Sequence, residues 1–176
     1  MKEELILVDD NDNPIGTASR EECHKGMGKR HRAFVVFLFD KNGRVLLQFR
    51  NESKLGGKRW DVTATSHVRN GETYEIAADR CLKHELGMSV PLEKIGAYTY
   101  TEHYEGFSEN EYCAVLVGKY DGELKPNAAE MDEVEYTPLE KIEQDLKKTP
   151  AKYTKWFRDA FPILLNFINK SNYLED

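Results

Sequence analysis

The chain has 176 residues, enough to bury a sizeable core in one domain. Hydrophobic residues make up 40% and charged residues 32%, the balance of an ordinary globular protein and not of a disordered or membrane-embedded one. A formal net charge of −6 argues against an extended nucleic-acid or anionic-membrane footprint, while leaving room for a local basic pocket that holds a small anion. Cys23, Cys81 and Cys113 lie far apart with no C-x-x-C pair, the usage expected of reduced thiols in a cytoplasmic setting. The opening MKEELILVDD is too acidic, and its apolar run too short, for a signal peptide. No apolar run approaches the ~20 residues a membrane-spanning helix needs. With no internal repeat or low-complexity linker, residues 1–176 read as a single domain, a monomer or homodimer without nucleic-acid or membrane partners.

In chain order, ELILVD (4–9) predicts a strand, and DNDNPIG (10–16) supplies turn chemistry before a second short one. Ser19 is placed to cap a short helix through Cys23. AFVVFLFD (33–40) predicts a buried strand, KNG (41–43) a hairpin turn and RVLLQFR (44–50) the returning strand. A glycine-rich, basic loop, NESKLGGKR (51–59), leads into a further extended segment, WDVTATSH. From Glu72 to Leu86 the pattern turns helical: Ala77, Ala78, Cys81, Leu82 and Leu86 share one stripe, and Gly87 stops it. GAYTYTEHY (96–104) and ENEYCAVLVGKY (109–120) alternate like strands, and VEYTP (134–138) adds one more. LEKIEQDLKK (139–148) and YTKWFRDAFPILLNFI (153–168) predict C-terminal helices, the second kinked or divided at Pro162. Mostly antiparallel strands with one long central helix and terminal helices make an α+β fold, a sandwich of helix, mixed sheet and helix.

Glu109 and Glu111 stand two apart on a predicted strand, so both carboxylates share a face and repel unless a positive group sits between them. The bland reading is a solvated strand start. Against it, Cys113, Val115 and Val117 continue the same face and are apolar, so the carboxylates mark the wet end of a buried stripe. Of the five histidines, His24 and His31 flank a basic loop, KGMGKR, able to fold back and bring them together. Three imidazoles with two carboxylates suit a borderline divalent ion such as Mn²⁺, Zn²⁺ or Fe²⁺, whereas Mg²⁺ prefers oxygen. Spacing alone does not establish that assembly. Glu85 lies at the margin of the helix's inward stripe, where a carboxylate is costly unless paired, hydrated or metal-bound; a salt bridge with Arg80 or a lysine would satisfy it equally. Arg20, Arg50, Lys54 and Lys58 are candidates for holding phosphate oxygens.

NGETYEIAADRCLKHELG resembles a degenerate Nudix box, the strand-loop-helix signature whose glutamates bind metal next to a diphosphate. Glu72, Arg80, Glu85 and Gly87 match it; Ser66 stands at the first glycine, and Cys81 and His84 replace two metal-binding glutamates. LVDDNDNPIGTASREECH, KRHRAFVVFLFD, LLQFRNESK, RWDVTATSH, ENEYC and TPAKYTKWF together resemble one branch, the type I isopentenyl-diphosphate isomerases, over roughly residues 4 to 160.

That resemblance implies a Nudix-type fold and a small-molecule diphosphate substrate. It implies that His24, His31, His67, Glu109 and Glu111 ligate an inner Mn²⁺, Zn²⁺ or Mg²⁺, and that Glu85 holds a Mg²⁺ bridging the diphosphate. Arg20, Arg50 and Lys54 match basic residues that contact the diphosphate, whereas Cys81 stands where a further arginine is frequent. Trp156 matches an aromatic able to stabilise a tertiary cation, and a catalytic tyrosine is expected among Tyr98, Tyr100 and Tyr104. With Glu111, Thr65 completes the implied catalytic set. The family places a cysteine at that position, and a threonine hydroxyl is a far weaker acid or base than a thiol of pKa ~8.5. Cys81 and Cys113 are expected to pack instead of substituting for it.

Three readings follow. The first is isomerisation of isopentenyl diphosphate to dimethylallyl diphosphate, slowed by Thr65. The second is a Nudix-type hydrolase acting on a nucleoside or isoprenoid diphosphate, for which a lost thiol is harmless. The third is a non-catalytic module that binds a diphosphate or metal.

Overall fold

The computed structural model describes residues 3–175. Its strands are β1 (Glu4–Val8), β2 (Pro14–Ser19), β3 (His31–Phe39), β4 (Val45–Arg50), β5 (Trp60–Asp61), β6 (Ala64–His67), β7 (Glu93–Tyr104), β8 (Phe107–Lys119) and β9 (Met131–Thr137). The helices are α1 (Arg20–His24), α2 (Tyr74–Leu86), α3 (Leu139–Lys148) and α4 (Lys155–Lys170). All the strands join one mixed sheet, flanked by helices on both faces, so the fold is α+β as expected.

β3 is the hub. Along its whole length, from His31↔Glu111 to Phe39↔Lys119, it pairs parallel with β8. On its other edge it pairs antiparallel with β6, from Ala33↔His67 to Val36↔Ala64. The predicted β3–β4 hairpin is therefore mostly unzipped. The Asp40 carboxylate accepts from Asn42 N and Arg44 N and makes the tight turn, but the two strands share only the Phe39↔Val45 pair. Both edges of β3 are already taken, so β4 swings away and pairs with β9 and β5.

The apolar run of β3 has no polar face because both of its faces are covered. Phe34, Val36 and Leu38 pack with Ala114 and Leu116 under the α2 stripe of Ala77, Ala78, Cys81, Leu82 and Leu86. Ala33, Val35 and Phe37 alternate with them and pack with Cys113, Val115 and Val117 under Trp156, Phe157, Ala160 and Phe161 of α4.

The helix ends are chemically marked. Ser19 and Glu22 form a capping box at α1: Glu22 N donates to Ser19 Oγ and Ser19 N donates to the Glu22 carboxylate. Thr73 caps α2 by accepting from Ile76 N at 3.2 Å, and Gly87 ends it at φ 66. Glu72 thus lies outside the helix. Pro162 does not divide α4, which runs on to Lys170. Proline denies the Arg158 carbonyl its helical partner, but both residues are exposed, so that carbonyl faces water. Among the described residues no helix is long and apolar enough to cross a membrane.

Because Leu82 is fully buried where α2 docks on the sheet, Leu82→Ala should lower stability by about 3 kcal/mol. The urea midpoint measures it; an unchanged midpoint would mean that α2 is not anchored through this stripe.

Candidate metal centre and active site

Three imidazoles meet at one end of β3. His31 opens that strand, His67 ends β6 and His24 closes α1, and the three ring centroids lie 4.9 Å from one another with mutual tilts of 60–64°. Backbone carbonyls set two of the tautomers. His24 Nδ1 lies 2.6 Å from the Arg20 carbonyl and His31 Nδ1 lies 2.7 Å from the Lys29 carbonyl. A carbonyl only accepts, so each Nδ1 donates and each Nε2 keeps a lone pair aimed inward. Register brings in the carboxylates: His31 is paired with Glu111 across β3 and β8, and Glu109 lies on the same face two residues earlier.

The result is a group in which ligand atoms of His24, His31, His67 and Glu109 all lie within 4.8 Å of one another. Glu111 stands beside them, its Oε1 3.0 Å from His67 Nε2 and 3.8 Å from His31 Nε2. Thus the five sequence-predicted ligands do converge. The solvated reading of Glu109 and Glu111 fails, since both are buried. Among the described residues, three buried atoms, His24 Nε2, His31 Nε2 and Glu109 Oε2, have no hydrogen-bond partner. Buried polar atoms are normally satisfied. Inward-facing imidazole lone pairs beside carboxylate oxygens match the donor set of a divalent cation, so these residues fit one.

The electrostatics agree. Burial alone would depress His67, but the carboxylates of Glu109 and Glu111 beside its Nε2 outweigh it and hold the ring up at about 9. Burial pushes His31 down to about 3, and the charge on His67 adds to this. Burial would raise Glu109, yet His24 and His67 keep its carboxyl well below the usual range. Glu111 rises instead, through burial, against the pull of His67 and with Glu109 adding to the rise. One proton on His67 partly supplies the positive charge that two buried carboxylates require.

Above the cluster opens a cavity of about 430 Å³. Its walls include Arg20, Arg50, Lys54, Thr65, Glu85 and Trp156 with His67, Glu109 and Glu111, whereas His24 and His31 belong to the cluster beneath. Among the described residues Glu85 has no salt bridge. Arg80 pairs with Glu72 and donates to the His67 carbonyl, while Glu85 accepts from Gln48 at 3.2 Å, and burial raises its carboxyl to about 6. Thr65 Oγ1 donates to the Phe34 carbonyl at 2.9 Å, so toward the cavity it offers lone pairs and no proton. Cys81, expected only to pack, does so with the α2 stripe but also lines the cavity; its Sγ lies 3.8 Å from the Thr65 carbonyl. Burial, with Glu85 adding, pushes its thiol well above the ordinary value.

The basic residues are less free than their sequence positions suggest. Arg50 donates to Asp61 at 2.9 Å and to the Leu55 carbonyl at 2.8 Å, and lies 5.3 Å from the Trp156 ring centroid. Lys54 is ion-paired with Glu130. Lys58 does not line the cavity; it is half exposed and pairs with Asp132 at 2.8 Å. His84 and His103 stay outside the cluster, on Glu130 and Ser108 respectively.

Several residues went unassigned in the sequence. Tyr100 is the tyrosine of its strand that lines the cavity, paired across the sheet with Glu111. Tyr98 turns to the Trp156 carbonyl, and Tyr104 is exposed. Alternation from Glu111 through an antiparallel register would have selected Tyr100, but that register is not readable from one strand. Fully buried Asp61 accepts from Arg50, Trp156 Nε1, Thr154 Oγ1 and Val62 N, and so holds two predicted site residues together. The acidic residue after Trp60 was its only signal. Glu130 and Phe107 also line the cavity, and Phe107 stacks on His24 at 4.8 Å with a 7° tilt.

A family model described as NUDIX domain matches residues 29–157. A Photorhabdus laumondii protein named isopentenyl-diphosphate Delta-isomerase 2 is 37% identical over 160 residues, covering 90% of both chains. A Haloarcula marismortui isopentenyl-diphosphate Delta-isomerase is 37% identical over 171 residues, covering 90% of this chain and 89% of its own. Among solved structures, a Deinococcus radiodurans protein superposes with a TM-score of 0.67 at 21% identity, covering 84% of this chain and 90% of its own. The MutT protein of Methanosarcina mazei gives 0.65 at 20% identity over 81% and 96%. At such identities these two speak for the fold alone.

Two outcomes are expected. Since His67 holds a proton up to about pH 9, loading the cluster at neutral pH should expel about one proton per site, read by calorimetry in buffers of different ionisation enthalpy. His67→Gln should remove that release, and a release unchanged by the substitution would refute the assignment. Asp61→Asn should cost about 3–5 kcal/mol by leaving Arg50 buried without its counter-ion, and should shift Trp156 fluorescence.

Proposed function

The chain belongs to the NUDIX domain family and, within it, to the isopentenyl-diphosphate Delta-isomerases, and from that premise we propose that it converts isopentenyl diphosphate into dimethylallyl diphosphate. The observation that carries this reading is the convergence of three histidines, two glutamates, Tyr100 and Trp156 in one cavity that also presents Glu85 and basic side chains. In the reaction one proton adds to the terminal carbon of the double bond and another leaves the methylene on its far side. Atoms balance, and a tertiary cation lies between the two steps.

His24, His31, His67, Glu109 and Glu111 would hold an inner divalent cation, Mn²⁺, Zn²⁺ or Mg²⁺, and Glu85 a Mg²⁺ shared with the diphosphate. Bound there, such cations supply charge neutralisation for the diphosphate and favour the ionised forms of neighbouring acids. Glu111, with Tyr100 opposite it in the register, holds or takes the proton on one face of the double bond. Trp156 lends an electron-rich ring to the developing cation; that Arg50 already lies against this ring speaks for its accepting positive charge. Arg20, Arg50 and Lys54 bind and orient the diphosphate. On the other face Thr65 has no thiol to offer. Its hydroxyl proton is donated to the Phe34 carbonyl, so toward the cavity it acts as an acceptor that orients a water.

That same observation favours a second reading, hydrolysis of a nucleoside or isoprenoid diphosphate, which needs no thiol. Against it, His84 turns to Glu130, which leaves Glu85 as the α2 carboxylate in the cavity.

The purified protein with Mg²⁺ and Mn²⁺ should form dimethylallyl diphosphate from isopentenyl diphosphate without releasing phosphate. Glu111→Gln should lower kcat by about 10²-fold or more, and Glu85→Gln should weaken turnover through substrate binding. Thr65→Cys should raise kcat. No allylic product from either the wild type or Thr65→Cys would sink the isomerase reading, and phosphate release from a nucleoside diphosphate panel would support hydrolysis in its place.

A further inference from the structure

The extended backbone of β6 does not stop at His67. Ile6 N donates to the Val68 carbonyl, Asn70 N donates to the Glu4 carbonyl, and Leu5 bridges Arg69. The chain therefore continues as a strand along β1. Val68 is buried on the α2 side of the sheet, so its neighbours His67 and Arg69 point the other way. Thr65, His67 and Arg69 thus follow one another along one cavity wall at two-residue steps, and all three line it.

Arg69 reaches the mouth, where its Nε donates to Glu3 Oε1 at 2.7 Å. Among the described residues its terminal nitrogens make no hydrogen bond, and its side chain is 46% exposed. Arg20 enters the same place from another element: its backbone N donates to the Glu3 carbonyl, and its guanidinium acts on the Glu3 carboxylate. The Arg20 side chain makes no hydrogen bond or ion pair among the described residues. The other cavity cations already have partners: Arg50 on Asp61 and a carbonyl, Arg80 bidentate on Glu72, Lys54 on Glu130. Among the described residues, Arg69 and Arg20 are exposed lining residues whose terminal guanidinium nitrogens have no hydrogen-bond partner.

The geometry points to Arg69 as a substrate-binding residue, which with Arg20 forms a fork for the terminal phosphate of the diphosphate, held ready by Glu3. A doubly charged phosphoryl group is a stronger partner for a guanidinium fork than one exposed carboxylate, so the phosphate displaces Glu3. Glu3 is then a positioning residue and a competitor. This inference rests on the diphosphate reading of the cavity and not on isomerase chemistry.

The test is calorimetric titration of the metal-loaded protein with inorganic pyrophosphate, alongside kcat and KM for isopentenyl diphosphate. Arg69→Gln should weaken pyrophosphate binding and raise KM by about tenfold while leaving kcat within about twofold, and Arg69→Lys should recover part of the loss. Glu3→Gln, which removes the competitor, should bind pyrophosphate at least as tightly as the wild type. If Arg69 only fastens β1, both variants lower the melting temperature alike and leave pyrophosphate affinity unchanged, which would overturn the assignment. A wild-type protein that takes up no pyrophosphate would instead overturn the diphosphate reading on which it rests.

Discussion

Two carboxylates buried side by side on one strand face dictate much of this protein. Glu109 and Glu111 sit at the wet end of an otherwise apolar stripe, and among the described residues neither is ion-paired with an arginine or lysine. Like charges at that spacing are tolerable only with positive charge between them. The chain meets the demand with three imidazoles drawn from a short helix and two strands. The Nδ1 atoms of His24 and His31 are tied to backbone carbonyls, which leaves their Nε2 lone pairs facing the carboxylates, while His67 Nε2 meets Glu111 directly; displacement of the His67 proton completes a donor set suited to a cation. Local structure elsewhere serves this convergence. The capping box on α1 places His24, the parallel β3–β8 register sets His31 opposite Glu111, and the β3–β6 register sets His67 opposite Ala33.

A second anchor holds the cavity's other wall. Asp61 is fully buried and accepts from four groups, which locks Arg50 and Trp156 into one rigid unit with the start of α4. The rim is built differently, from exchangeable pairs: Lys54 with Glu130, and Arg69 with Glu3. A rigid floor and a rim of ion pairs suit an anionic ligand. The floor fixes where the reacting carbons lie, and the rim trades its own carboxylates for phosphate oxygens. Partly exposed pairs are worth little to stability, so breaking them on binding costs little.

Thr65 and Cys81 stand where the resemblance to the isomerases implies other side chains, a cysteine at the first and frequently an arginine at the second. The hydroxyl faces the cavity as an acceptor, and the thiol approaches the same stretch from α2, buried and held protonated by its surroundings. The wall that carries Thr65 also carries His67 and Arg69, so one extended segment presents a hydroxyl, an imidazole and a guanidinium to the cavity.

The sequence by itself determined the alternation of β3 and β8, the stripe and caps of α2, and the residue types of the centre. These follow from periods of two and 3.6 residues and from local hydrogen-bonding chemistry, which short windows of sequence contain. It also carried the candidate ligands, because His24, His31, His67, Glu109 and Glu111 sit in recognisable motifs. What only the tertiary structure decided is pairing across distance. The parallel alignment of β3 with β8, the β3–β6 register and the docking of α1 gather five scattered residues into one cluster, and the antiparallel β7–β8 register selects Tyr100 over its neighbours. Pairing with β8 also takes up an edge of β3, and with the other edge on β6 the expected hairpin opens. Partner choice did the rest: Lys58 went to Asp132, Arg80 to Glu72, and Asp61 became the anchor of the far wall. A charge on a loop does not reveal which opposite charge it will meet, because that depends on register and packing between segments tens of residues apart.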